Sequence, residues 1–88
     1  MGLDLFLSDG PDRRFELIYV SSDGHAEIVG SKTPFSEAPV SDPEPRKRYE
    51  RLLFNSGADP DWRARVTDHL RDLDAWIAEH PTATWWTL

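Results

Sequence analysis

Residues 59–81 read DPDWRARVTDHLRDLDAWIAEHP, and the architecture of the chain follows from this stretch. Its apolar side chains recur every three or four positions, which is the period of one face of an α-helix. These apolar residues are Trp62, Val66, Leu70, Leu73, Trp76 and Ile77. Asp59 can cap the helix, Pro60 suits its first position, and Pro81 lies just beyond its end. The stretch therefore predicts an amphipathic helix that packs against another layer.

A second helix is predicted immediately before this one. Tyr49, Leu52 and Leu53 fall on one face at helical spacing, and Gly57 supplies a C-terminal stop. A short glycine-containing connection favours antiparallel packing of two neighbouring helices. Residues 46–80 therefore predict an antiparallel helical hairpin.

The first thirty residues are typical of strands. Residues 3–7 alternate leucines with other side chains, residues 15–20 are rich in aromatic and β-branched side chains, and residues 26–29 form a third apolar run. Turn signals separate the runs at 9–12 and 23–24. Because short turns join antiparallel neighbours, residues 1–30 predict a three-stranded antiparallel β-meander.

The remaining segments complete an α+β prediction for one domain of residues 1–88. Residues 31–45 carry four prolines and predict a Pro/Ser-rich crossover loop that forms neither a ladder nor a helix interior. Residues 81–88 form an aromatic, strand-like tail that either adds a C-terminal fourth strand to the meander or lies across it. A sheet with one face covered by a helical hairpin is the expected two-layer solution.

Composition narrows the function classes. The 88 residues include ten Lys+Arg and sixteen Asp+Glu, which gives a net charge of −6. This charge disfavours direct binding to nucleic acid or to an anionic membrane. No cysteine is present, which excludes disulfides and thiolate metal sites. With no signal-peptide pattern at the start, we expect a cytoplasmic protein, and arginine in excess of lysine suggests a bacterial or phage origin.

The sequence offers no catalytic constellation, so we expect a non-enzymatic protein without metal or cofactor. Residues 21–25 hold Ser, Asp and His side chains, but turn chemistry explains each of them. His69 and Asp72 supply two ligand types on one helix face, which is fewer than a metal site needs. We expect His69 to donate a hydrogen bond at the edge of the core.

Charged residues segregate between the two helices. Arg46, Lys47, Arg48 and Arg51 form a basic cluster, which we interpret as a solvated helix face with intramolecular pairs rather than a nucleic-acid site. Asp61, Asp68, Asp72 and Glu79 share one azimuth on the second helix. We call these four residues the acidic row; it runs for about 27 Å beside the apolar face. The row is either a surface for a basic partner or an ordinary solvated flank that Arg65 interrupts.

Three aromatic residues have no assigned place in the predicted core. Phe54 lies almost opposite the apolar face of its helix, and Trp85 and Trp86 are adjacent, so in a strand they point to opposite sides. Exposed aromatic side chains are enriched at the energetic centres of interfaces. They are either partner-binding residues or part of a sandwiched tail, with Phe54 closing one end of the core.

Three functional hypotheses follow. The first is a small acidic protein-binding module, such as an accessory inhibitor, immunity or anti-defence protein, whose partner is another protein with a basic or apolar surface. A nucleic-acid-binding protein is one such partner. The second is a structural protein that acts as a homodimer or larger homo-oligomer. The third is a small-ligand binder or enzyme in which residues 31–45 act as a lid.

Overall fold

A computed structural model describes residues 5–18, Ile28 and residues 37–87. Four strands and two helices lie in these ranges, numbered here in chain order. They are β1 (Leu5–Ser8), β2 (Arg14–Glu16), β3 (Glu37–Pro39), α1 (Glu44–Asn55), α2 (Pro60–Glu79) and β4 (Thr84–Thr87). The α+β class is confirmed.

The four strands form one antiparallel sheet in the order β2-β1-β4-β3. Of the two alternatives for the C-terminal tail, the fourth strand is confirmed, and it lies inside the sheet between β1 and β3. Leu7 pairs with Phe15 on one side and with Trp85 on the other. Ala38 pairs with Trp85 in turn, so these four residues share one face of the sheet.

The turn predicted at residues 9–12 joins β1 to β2. Gly10 has φ of +116°, a conformation that L side chains rarely adopt. The amide of Asp9 donates to the carbonyl of Arg13 at 2.9 Å and closes the hairpin. The ladder of β2 ends at Glu16, so residues 17 and 18, which the prediction of a strand over 15–20 included, lie outside the observed strand.

The third strand of the predicted meander is not found at its described position. Within 26–29 the structure describes only Ile28, whose backbone is helical and whose side chain is fully buried. A short apolar run satisfies burial in either conformation, and alanine and glutamate next to it favour a helix. In the described sheet, β1 lies between β2 and β4.

The prediction that residues 31–45 form no strand is wrong at Glu37–Pro39. Pro39 has no N–H for a ladder, but β3 is an edge strand of the described sheet, where proline is tolerated. Residues 37–39 therefore belong to the sheet and not to a free lid. Helix α1 begins at Glu44, two residues before the predicted start, with the Glu44 amide donating to the Asp42 carboxylate at 3.0 Å.

The two helices pack antiparallel. Contacts pair residue 46 with 74, 49 with 69, and 53 with 62, so one helix ascends as the other descends. The helices and the sheet enclose one cluster of buried side chains. Its members are Leu7, Ile28, Tyr49, Leu53, Val66, Leu70, Leu73 and Trp85. The apolar stripe predicted for the second helix is thus confirmed as its core face.

The connection between the helices passes close to an indole ring. A Cβ atom on Gly57 would lie 3.0 Å from Cδ1 of Trp62. The ring is held in place because its Nε1–H donates to the carbonyl of Leu53 at 2.8 Å. A side chain at position 57 would therefore require the indole ring to shift.

We expect Gly57→Ala to lower the free energy of unfolding by about 1–2 kcal/mol, because the added methyl group overpacks this contact. Urea denaturation monitored by circular dichroism measures the loss. In a Trp62→Leu background the same change should cost much less. An equal cost in both backgrounds would show that the indole contact is not its cause.

Candidate functional site

The acidic row lies on solvent-facing helix surface. Asp61, Asp68, Asp72 and Glu79 are all exposed on α2. The row follows the flank next to half-buried His69, on the far side of the helix axis from Leu70. Arg71 binds the carboxylate of Asp68 as an exposed i, i+3 pair. Exposed pairs of this kind are weak, so the row presents its negative charge to solvent.

The basic cluster on α1 is largely engaged within the chain. The Arg46 guanidinium binds both carboxylate oxygens of Asp74 on α2, at 2.8 and 2.9 Å, and reaches Glu50 at 3.5 Å. The Asp74 hydrogen bond is the main reason that the pKa of Arg46 is raised above its ordinary value. This geometry supports the interpretation of intramolecular pairing across the hairpin.

Two further members of the basic cluster also find acceptors. Lys47 lies 3.9 Å from Glu44 one helical turn earlier. Arg48 donates to the main-chain carbonyl of Ile28 at 3.5 Å.

Trp85 was a candidate for an exposed interface, and its position contradicts that role. The side chain is fully buried in the core, edge-on to the Tyr49 ring at a centroid distance of 5.7 Å. Its Nε1–H has no hydrogen-bond partner among the described residues. Register decides this outcome, because Trp85 shares the helix-facing side of the sheet with Leu7 and Ala38. The sandwiched-tail alternative therefore applies to Trp85.

The other two aromatic candidates differ from Trp85. Trp86 holds the register position opposite Phe6, and its side chain lies outside the described part of the structure. Phe54 is half-buried and packs against the core cluster. The Arg63 guanidinium lies 4.9 Å from the Phe54 ring centroid, which is a cation–π distance. Phe54 therefore both closes the core and keeps part of its surface accessible.

A partly buried hydrogen-bonded chain, which we call the Tyr49 bridge, joins the segment that follows β2 to both helices. The amide of Ile18 donates to the Tyr49 hydroxyl at 2.9 Å, and that hydroxyl lies 2.8 Å from Nε2 of His69. Burial raises the pKa of Tyr49 above its ordinary value, against the smaller opposing effects of the Ile18 amide and Arg46. A hydrogen bond of His69 at the core edge is confirmed as its contact with Tyr49, in which the tautomer of the ring sets donor and acceptor. The connection to Ile18 was missed because a backbone amide leaves no sequence signal.

Several predicted features carry no site in the described residues. The Ser/Asp/His cluster at 21–25 lies outside them. Within the described ranges no group of three His, Asp or Glu side chains converges as a metal ion would require. Helices long and apolar enough to span a bilayer are likewise not found there.

The comparisons with known proteins add no family assignment. No protein-family model, curated protein or solved structure matches this chain. The acidic row, Phe54 and the Tyr49 bridge therefore have to be interpreted from their own chemistry.

Proposed function

We propose that this chain is a small, acidic, non-catalytic protein-binding module that uses the acidic row to occupy a basic surface of another protein. The observation that supports this most is the exposure of all four carboxylates along one flank of a 20-residue helix. A rigid helix holds their spacing before binding, which reduces the entropic cost of association.

The row suits a partner whose natural ligand is a polyanion. Its carboxylates are four or seven residues apart, which corresponds to about 6 and 10.5 Å along the helix. These distances approximate two and three steps of a nucleic-acid strand, at about 3.4 Å per step. The proposal is therefore an accessory inhibitor, immunity or anti-defence role, exercised in the cytoplasm on a basic, nucleic-acid-binding protein.

Charge reversal on the row tests this proposal. The wild-type chain is used to capture its partner from lysate of the source cells, and the purified partner is then titrated against variants. We expect Asp68→Lys/Asp72→Lys to weaken binding at least about tenfold, mainly by slowing association, and we expect added salt to weaken wild-type binding.

A matched control changes the same amount of charge on another surface. Asp12→Lys/Glu16→Lys reverses two exposed carboxylates near the β1–β2 turn. We expect this control to bind like the wild type. Loss of binding in the control alone would place the interface near the β1–β2 turn, and equal loss in both variants would contradict site-specific recognition.

A homo-oligomer is the second candidate, and the accessible part of Phe54 favours it. In an isologous contact, the Phe54 ring and the Arg63 guanidinium above it would pack against Phe54 and Arg63 of a second copy. Light scattering across a range of concentrations distinguishes the candidates. A dimer that is lost in Phe54→Ser supports self-association, whereas a monomer at every concentration rules it out.

A further inference from the structure

The Tyr49 bridge has a defined order of protons. The Tyr49 oxygen accepts from the Ile18 amide at 2.9 Å, so its own proton is available for Nε2 of His69 at 2.8 Å. Nε2 then acts as the acceptor and carries no proton, which requires a neutral imidazole protonated at Nδ1. All three groups are satisfied in this arrangement alone.

Protonation of His69 is incompatible with this order. An imidazolium carries a proton on both nitrogens and donates at Nε2. The Tyr49 oxygen would then face two N–H donors, and its own proton, in a fully buried position, would have no acceptor among the residues that the structure describes. Leaving a buried polar group unpaired costs more than a hydrogen bond contributes, so protonation of His69 shifts the equilibrium towards an open bridge.

The surroundings of His69 contain groups that act in both directions. From α1, Tyr49 and the positive charge of Arg46 face it; from α2, Asp72 faces it; from β2, the uncharged Phe15 ring lies 5.6 Å away. Burial lowers the pKa of His69, Asp72 raises it and Arg46 lowers it, with a net decrease. The neutral form that the bridge needs is therefore also favoured by the environment.

We propose that the Tyr49 bridge is an acid-sensitive catch, in which protonation of His69 releases Ile18 from the helical hairpin while the hairpin stays folded. The release is local because Ile18 lies beyond the end of the β2 ladder at Glu16. The two helices are held together by the packing of Leu53, Leu70 and other core residues, and this packing does not depend on the hydrogen bond to Ile18. Acid would thus free the chain at Ile18 without unfolding the protein.

Amide hydrogen exchange followed by NMR tests the catch between pH 7.5 and pH 5. We expect the protection factor of the Ile18 amide to fall by up to about tenfold per pH unit below the ordinary histidine pKa, as linkage to one proton allows. The amides of Leu70 and Leu73, in the interior of α2, should keep their protection. A parallel fall at all three positions, or none at Ile18, would overturn the proposal.

Two histidine variants separate the catch from general acid effects. In His69→Gln, the Ile18 protection factor should lose its pH dependence. His80→Gln is the matched control, because His80 donates from Nδ1 to the Trp76 carbonyl at 2.9 Å, a bond that survives protonation. Retained pH dependence in His69→Gln would contradict the proposal. If that variant fails to fold, the wild-type protein still provides a test. The ¹⁵N chemical shifts of the His69 ring must show the Nδ1–H tautomer, and its protonation must follow the same pH dependence as the protection factor of the Ile18 amide.

Discussion

Replacing Trp85 with alanine should lower the free energy of unfolding by about 3–5 kcal/mol, the largest effect expected of any single change described here. The side chain is fully buried between the Tyr49 ring and the helix-facing side of β1. Its removal leaves a cavity that an 88-residue chain has little reserve to tolerate. Total stability at this size is about 4–13 kcal/mol, so the variant should be marginally folded.

The Trp85 experiment also decides between two roles for this residue. Urea denaturation monitored by circular dichroism gives the stability, and partner titration gives the affinity. A core residue loses stability on truncation, whereas an interface residue loses affinity while the chain remains stable. Trp76→Ala is the matched control, because Trp76 is half-buried and should cost less. A loss below about 1 kcal/mol in Trp85→Ala would contradict the core assignment.

The conservative variant Trp85→Phe should cost less than Trp85→Ala for two reasons. A smaller cavity forms, and the indole N–H, which has no partner among the described residues, is removed with the larger ring. Removing the unpaired N–H offsets part of the stability that is lost with the packing.

Local sequence signals predicted the helices well. Asp59 caps α2 as expected, with its carboxylate accepting from the Asp61 amide at 2.8 Å. Val66, Leu70 and Leu73 are buried because helical periodicity leaves them no other face. Both signals act within a few residues, so tertiary context did not alter them.

Sheet topology was harder to predict because strand order depends on distant partners. Adjacent tryptophans show that one faces the core, but only the pairing of β4 with β1 identifies Trp85 as that residue. In the sequence, Pro39 disfavours a strand because it has no N–H for a ladder. It is tolerated because β3 is an edge strand of the described sheet, and no local sequence pattern reveals that position. The acidic row was predictable because it belongs to one helix, whereas the Tyr49 bridge joins residues 31 and 20 positions apart.

The second large effect is expected from Tyr49→Phe, which removes one oxygen and leaves two buried or half-buried groups unpaired. The Ile18 amide loses its acceptor, and Nε2 of His69 loses its donor. We expect the free energy of unfolding to fall by about 1–3 kcal/mol at pH 7.5. Urea denaturation at pH 7.5 and pH 5 measures the change at both ends of the histidine titration.

The sign of the pH dependence follows from the lowered pKa of His69 in the folded chain. The unfolded chain, with an ordinary histidine pKa of about 6.5, takes up the proton more readily, so the contribution of His69 to stability is fully present above that pH and is lost as the pH falls towards the folded value. Because acid opens the bridge in the wild type, the difference between wild type and Tyr49→Phe should narrow at pH 5. His80→Gln should leave that narrowing intact. If the free energies of unfolding of wild type and Tyr49→Phe differ by the same amount at both pH values, the hydroxyl stabilises the fold through Ile18 alone and its hydrogen bond to His69 contributes nothing.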